Sequence, residues 1–85
     1  MALSDTAIRN AKPLDKPYKL FDERGLFIQI APKGGKWWRF KFRFEGKEQL
    51  ISLGTYPEVS LAFAREQRDE ARKLIAAGVN PNLYQ

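Results

Sequence analysis

Residues 36–45 (KWWRFKFRFE) alternate between two kinds of side chain, and this alternation constrains the fold more than any other feature of the chain. Every second position is aromatic: Trp38, Phe40, Phe42 and Phe44. The positions between them hold one more aromatic ring and three cations: Trp37, Arg39, Lys41 and Arg43. Because successive side chains of a strand point to opposite faces of a sheet, the pattern predicts a strand with one apolar and one cationic face. Another element must therefore cover the apolar face.

That covering element is predicted near the end of the chain, where the apolar period changes from two to that of a helix. Ser60 is suited to cap the start of a helix running to about Ala77, and Gly78 is suited to end it. One apolar stripe follows the helical period: Leu61, Ala64, Ala71, Leu74 and Ile75. The rest of the helix surface is charged and is expected to be solvated. Two helical ion pairs are expected on it: Arg65 with Asp69, and Asp69 with Lys73.

Shorter signals predict the elements that precede the alternating strand. Ser4 is suited to cap a short N-terminal helical turn that ends before Pro13. Residues 18–21 and 26–31 flank the turn-like sequence DERG and predict a hairpin. In its second strand one face holds Leu26, Ile28 and Ile30, and the other holds Phe27 and Gln29.

A second hairpin is predicted to join the alternating strand to residues 49–53. A two-residue turn at Gly46-Lys47 would bury the same face of both strands, and a four-residue loop would give the same pairing. The expected core-facing pairs are Phe42 with Ile51 and Phe40 with Leu53. The expected outward pairs are Arg43 with Leu50 and Lys41 with Ser52.

These elements predict an α+β fold. We expect an antiparallel meander of three or four strands, one long C-terminal α-helix packed on one face, and a short N-terminal helical turn. Residues 1–78 are predicted to form a single domain, and residues 79–85 a tail or the start of a linker.

The composition excludes most enzymatic and metal-binding classes. The 85 residues include no Cys and no His, so Cys nucleophiles, imidazole-dependent triads and most zinc sites are excluded. No apolar run approaches the roughly 20 residues of a membrane span, and the first residues lack the apolar stretch of a signal peptide. We therefore expect a cytoplasmic binding module that is not an enzyme, uses no cofactor or metal, and contacts no membrane.

The charge distribution points to a polyanionic partner. Lys and Arg number 15 and Asp and Glu number 10, which gives a formal charge of +5. Residues 1–47 hold 11 cations and 5 acids (+6), whereas residues 48–85 hold 4 and 5 (−1). Because the excess lies around the cationic strand, and because no acid interrupts the cations of that strand, we expect its outward face to bind double-stranded DNA.

The predicted DNA-binding residues fall into three groups. The primary contacts are expected from Arg39, Lys41 and Arg43. Neutral base-edge contacts are expected from Gln29 and Ser52, and phosphate contacts near turns from Lys33, Lys36 and Lys47. Trp37 has two interpretations: it contacts sugar or base, or its ring packs on apolar neighbours such as Phe27.

Three other interfaces are compatible with the sequence. The outward Phe27, Trp37 and Leu50 would suit a protein-interaction module, whose binding would depend little on salt. The helix surface with Arg65, Arg68 and Arg72 would be an alternative DNA-docking face. The N-terminal segment with Arg9 and Lys12 would add contacts to the DNA backbone.

Four segments of the chain resemble one known family: LSDTAIRNA (3–11), KWWRFKFR (36–43), LGTYPEVSLA (53–62) and DEARKLIAAG (69–78). They are similar to the N-terminal arm-DNA-binding domain of prophage and genomic-island integrases of the tyrosine recombinase type. The resemblance implies an antiparallel sheet on a C-terminal helix, with the sheet laid against arm-type sites of attachment DNA. The chain departs from the family pattern at Phe63, where a Glu commonly completes a capping box.

The resemblance also implies what this chain does not do. The catalytic residues of the family lie in a C-terminal domain with no counterpart here, so this chain alone is expected neither to cleave nor to join DNA. The partners implied are arm-site DNA, core-binding and catalytic domains of the same polypeptide, other integrase protomers and accessory recombination proteins.

Overall fold

The computed structural model describes residues 3–84, with side chains described for residues 3–82. In chain order the elements are α1 (Asp5–Asn10), β1 (Tyr18–Phe21), β2 (Leu26–Ile30), β3 (Lys36–Phe44), β4 (Lys47–Thr55), α2 (Leu61–Ala76) and a short 3-10 helix (Pro81–Tyr84). Residues 1, 2 and 85, which belong to the predicted domain and tail, lie outside the described part. Among residues 3–84, no helix combines the length and the apolar character needed to span a membrane.

The four strands form one antiparallel sheet in the order β1-β2-β3-β4. Each strand pairs with its neighbour in sequence, so the sheet is a meander, and α2 packs on one face of it. The first hairpin has a defined register, in which Tyr18 lies opposite Ile30 and Leu20 opposite Ile28. The predicted α+β class, helical turn and C-terminal helix are therefore confirmed.

The predicted register of the second hairpin is wrong by two residues. The turn consists of Glu45 and Gly46, with φ of 52° and 79°, so that Phe44 lies opposite Lys47. Two central residues with positive φ are characteristic of a type I′ turn, whose twist matches that of the flanking strands. As a result Phe40 lies opposite Ile51, while Leu53 lies at a bulge beside the Trp38–Arg39 step. The faces are those predicted, because a shift of two residues preserves them.

The core lies between the sheet and α2. Its largest fully buried side chains are Trp38, Phe27, Phe40, Ile8, Leu26, Ile28 and Ile30. The indole Nε1 of Trp38 donates a hydrogen bond to the carbonyl oxygen of Val59 at 2.7 Å, which satisfies the one polar atom of this ring. Leu61, Ala64 and Ala71 supply the buried stripe of α2. The aromatic side of β3 is thus covered by the helix, as predicted.

Both helices begin at the predicted serine. The Ser60 hydroxyl accepts from the backbone N–H of Phe63 at 3.2 Å, and the Ser4 hydroxyl accepts from that of Ala7 at 3.1 Å. Gly78, with φ of 83°, follows the C-cap of α2 and adopts the left-handed conformation that ends many helices.

The prediction of a solvated charged face on α2 is wrong for two arginines. The Asp22 carboxylate, 1% exposed, accepts from Nε and Nη2 of Arg65 at 3.0 Å each and from Nη1 of Arg68 at 3.1 Å. It also accepts from the backbone N–H of Leu3 at 2.9 Å. Burial alone would raise the pKa of Asp22, but the hydrogen bonds from Arg65 and from backbone N–H groups, with the charge of Arg65, outweigh burial and hold the pKa below its ordinary value of 3.8. The arginines therefore tie α2 to the β1–β2 turn and to the N-terminal segment.

The two predicted helical ion pairs are replaced by other partners. Arg65 pairs with Asp22, Asp69 pairs with its neighbour Arg68 at 3.0 Å, and Lys73 pairs with Glu70 at 3.3 Å. Arg68 is itself buried, at 6% exposure. A partner one or three residues away, or on another element, competes successfully with the i, i+4 partner expected from sequence.

Candidate nucleic-acid interface

The sheet face opposite α2 is here called the outer face. From β1 to β4, its residues are Lys19, Phe21, Phe27, Gln29, Trp37, Arg39, Lys41, Arg43, Glu48, Leu50, Ser52 and Thr55. They lie in cross-strand rows because antiparallel partners point to the same face. One row contains Lys19, Gln29, Trp37 and Thr55, and the next contains Phe21, Phe27, Arg39 and Ser52.

The three cations of β3 lie along the middle of the outer face. Lys41 and Arg43 are exposed, whereas Arg39 is half-buried between Phe27 and Ser52. The Nε atom of Arg39 is enclosed and has no hydrogen-bond partner among the described residues. Outward side chains of a strand are spaced by about 6.6 Å, close to two base-pair steps of about 3.4 Å each. The row can therefore follow a DNA groove or backbone.

Glu48 of the neighbouring strand β4 lies beside these cations, a contact that the sequence did not predict. It is directly opposite Arg43, and its Oε1 lies 2.7 Å from Nζ of Lys41. The hydrogen bond and charge of Lys41, with a smaller contribution from Arg43, lower the pKa of Glu48. The register explains the difference from the sequence prediction, since Leu50 faces Lys41 and Ser52 faces Arg39 in the structure.

Trp37 and Gln29 are neighbours at one end of the face. Both are half-buried, and the six-membered ring of Trp37 lies so close to Gly35 that a Cβ there would be 3.0 Å from its Cζ2. The ring thus packs on the backbone of the β2–β3 turn.

The three turn lysines do not share one location. Lys33 is exposed in the β2–β3 turn, and Lys47 is exposed at the start of β4, opposite Phe44. Lys36 lies opposite Ile30 on the core-facing side, and its Nζ donates to the carbonyl oxygen of Ile8 at 2.7 Å. Lys36 therefore stabilises the end of α1, and the structure does not bring it to the cationic row.

Sequence reasoning missed four residues of the outer face: Lys19, Phe21, Glu48 and Thr55. Lys19 lies beside Gln29, with its Nζ 5.1 Å from the centroid of the Phe27 ring. Phe21 is 62% exposed, and its ring centroid is 5.6 Å from that of Phe27. The alternation in residues 18–21 indicated that Lys19 and Phe21 share one face of a strand. Which face this is could be assigned only once the register of the first hairpin was known.

The alternative interfaces have less support in the geometry. Phe27 is 2% exposed and Trp37 is half-buried, so only Leu50 of the suggested protein-interaction patch is well exposed, at 47%. Arg65 and Arg68 are engaged with Asp22, which leaves Arg72 as the exposed member of the suggested helix surface. In the N-terminal segment Arg9 pairs with Asp5 at 3.3 Å, and both side chains are exposed.

Within residues 3–84 there is no group of three or more His, Cys, Asp or Glu side chains arranged to hold a metal ion.

Comparison with known proteins identifies the family. Residues 3–85 match the family model for the arm DNA-binding domain. The chain is 42% identical to the integrase of Enterobacteria phage P4 over 87 aligned residues, which cover 100% of this chain and 20% of that protein. It is 46% identical to the prophage integrase IntZ of Escherichia coli K12 over 81 residues, covering 93% of this chain and 20% of IntZ. The chain thus spans about one fifth of the length of these relatives. It belongs to the family of arm DNA-binding domains.

Proposed function

We propose that this domain binds double-stranded DNA through the outer face of its sheet. The observation that carries the proposal is the row Arg39, Lys41 and Arg43 on an inner strand of the sheet, on the face opposite α2. Cations on such a surface neutralise phosphates and release counterions, which supplies most of the sequence-independent binding free energy. The membership of the chain in the arm DNA-binding family supports the same partner.

The proposed geometry places the β3–β4 hairpin in the major groove. This groove is about 12 Å wide and admits a two-stranded ribbon, so that Arg and Lys can reach guanine edges or phosphates. Gln29 and Ser52 are proposed as neutral base-edge contacts, with Trp37 at one end of the interface. Lys33 and Lys47 are proposed to contact phosphates, while Lys36 is left out because its ammonium caps α1.

The proposed biological role is recognition of arm-type sites in attachment DNA. The relatives are integrases, and the chain covers about one fifth of each. We infer that residues 1–78 act as the arm-binding module of a tyrosine recombinase and that residues 79–85 begin a linker to core-binding and catalytic domains. Other protomers and accessory proteins would be partners of that larger protein, acting on DNA in the cytoplasm. Gripping two sites at once raises the effective concentration of the enzyme at the core site.

Matched charge variants test the DNA-binding surface. Arg39→Gln/Arg43→Gln removes two charges from the outer face, and Arg72→Gln/Lys73→Gln removes two from the exposed side of α2. In anisotropy titrations of a short duplex across a salt series, we expect the first variant to bind at least about tenfold more weakly at low salt. Its plot of log affinity against log salt should be shallower by about two. The α2 variant should retain the slope of the wild type.

Circular dichroism melting provides the folding control for both variants. Equal losses in the two variants, or a loss confined to the α2 variant, would contradict binding through the outer face.

A further inference from the structure

Glu48 is the one acidic residue among the outer-face residues, and it lies at the centre of the exposed charges. Its carboxylate contacts the Lys41 ammonium at 2.7 Å and lies across the hairpin from Arg43. An acid in this position repels DNA phosphates and occupies a cation that would otherwise bind them.

The fold does not require this ion pair. The side chains of Lys41 and Glu48 are each 54% exposed, and pairs with such exposure contribute little to stability because solvent screens them. Asp22 shows a contrasting use of acid: its carboxylate, 1% exposed, accepts hydrogen bonds from two arginines and a backbone N–H. Glu48 therefore weakens the outer face as a phosphate-binding surface without an equivalent gain in stability.

We propose that Glu48 is a selectivity residue of the DNA-binding face, an inference that rests on the proposed function. In the free protein its carboxylate holds the Lys41 ammonium and lowers affinity for DNA of arbitrary sequence. On a preferred site the carboxylate accepts a hydrogen bond from a base amino group in the major groove, which cytosine N4 or adenine N6 presents. Opposite an acceptor such as guanine O6 or thymine O4 the carboxylate is repelled, so the same group penalises other sequences.

The first test uses Glu48→Gln, with Glu66→Gln as the matched control. Glu66 is exposed on α2, so its variant has the same change in net charge away from the outer face. On a random-sequence duplex at low salt, Glu48→Gln is expected to bind about two- to fivefold more tightly than Glu66→Gln. Its log–log salt slope should be steeper by about one, because Lys41 becomes available to a phosphate. Equal affinities and slopes for the two variants would overturn the proposal.

A double-mutant cycle tests whether Glu48 acts through Lys41. In a Lys41→Gln background, Glu48→Gln should have less than about half of its effect on random-sequence affinity, since contacting residues are energetically coupled. An undiminished effect would overturn the assignment to Lys41.

The third readout measures selectivity itself. Duplexes are selected from a randomised library by the wild-type domain, and the affinity ratio of selected to random DNA is measured for each variant. We expect Glu48→Gln to lower this ratio and Glu66→Gln to preserve it; an unchanged ratio in Glu48→Gln would overturn the proposal. If Arg39→Gln/Arg43→Gln binds random DNA as wild type does, the proposed function fails as well, whereas a failure confined to Glu48→Gln leaves that function intact.

Discussion

Asp22 illustrates how a single side chain can connect three parts of a small domain. Its carboxylate accepts hydrogen bonds from Arg65 and Arg68 of α2 and from the backbone N–H of Leu3. Nη2 of Arg65 also donates to the carbonyl oxygen of Leu3 at 2.9 Å. Because the carboxylate is 1% exposed, removal of its charge would take from the buried Arg68 its buried ionic partner and leave it the half-exposed Asp69.

We expect Asp22→Asn to lower the free energy of unfolding by about 3 kcal/mol, the usual effect of removing one partner from a buried ion pair. Urea denaturation followed by circular dichroism measures the loss. Asp15→Asn, at an exposed loop position, is the control and should change stability by less than about 0.5 kcal/mol. A similar small effect for both variants would show that the cluster around Asp22 is not needed for stability.

The Asp22 carboxylate also makes the free energy of unfolding depend on pH. The pKa of Asp22 is lower in the folded protein than its ordinary value of 3.8, so its contribution is fully present above that value and is lost as the pH falls through the folded pKa. The difference in unfolding free energy between wild type and Asp22→Asn should therefore shrink as the pH falls below 3.8. A difference that stays constant down to the acid unfolding transition would be inconsistent with this assignment.

The sequence could not predict this cluster. Local spacing favoured Asp69 as the partner of Arg65, whereas the partner in the structure lies 43 residues away in the β1–β2 turn. Helical spacing predicts only partners on the same helix. Which turn approaches the helix depends on the packing of the whole sheet.

At the scale of elements, the β1–β2 turn extends the pairing of β2 with β3. Gly25 has a φ of 88°, and its carbonyl oxygen accepts from the backbone N–H of Lys41 at 2.9 Å. A Cβ at this glycine would overlap the backbone carbonyl oxygen of Lys41 and lie 3.1 Å from Cε1 of Phe40. The turn thus fits β3 only without a side chain.

We expect Gly25→Ala to destabilise the domain by about 1–3 kcal/mol more than Gly46→Ala. Gly46 has a comparable φ of 79° but no atom within 4 Å of the added Cβ, so its variant isolates the backbone strain of about 1 kcal/mol. Urea denaturation of both variants measures the difference. Equal destabilisation would show that the contact with β3 is unimportant.

The elements themselves were largely predictable, while the register of the second hairpin was not. Period two identified β3, and Ser60 and Gly78 marked the limits of α2. The position of the turn depended on whether Glu45 adopts a positive φ. Residues other than glycine rarely do so, but the twist of the hairpin favours it here. The position of the turn sets the cross-strand partner of Arg43, which is Glu48 in the structure and not the predicted Leu50.

At the scale of the whole molecule, the two faces of the sheet separate the residues of the core from those proposed to bind DNA. The helix and the Asp22 cluster lie on the covered side, while the exposed cations of β3 lie on the other. The sequence predicted this division and the placement of Arg39, Lys41 and Arg43 on one face, because alternation alone assigns side chains to faces. It could not assign Lys36 to α1 or find Lys19 and Glu48, since those placements depend on register and tertiary contacts.

The most direct test of the outer face as the DNA-binding surface is an NMR titration of the 15N-labelled domain with a short duplex. The two tryptophans are built-in reporters, because Trp37 lies on the outer face and Trp38 is 0% exposed in the core. We predict that the indole N–H signal of Trp37 and the amide signals of β3 and β4 shift on binding, while the Trp38 indole and α2 signals do not. Shifts concentrated in α2, with Trp37 and β3 unaffected, would contradict the account.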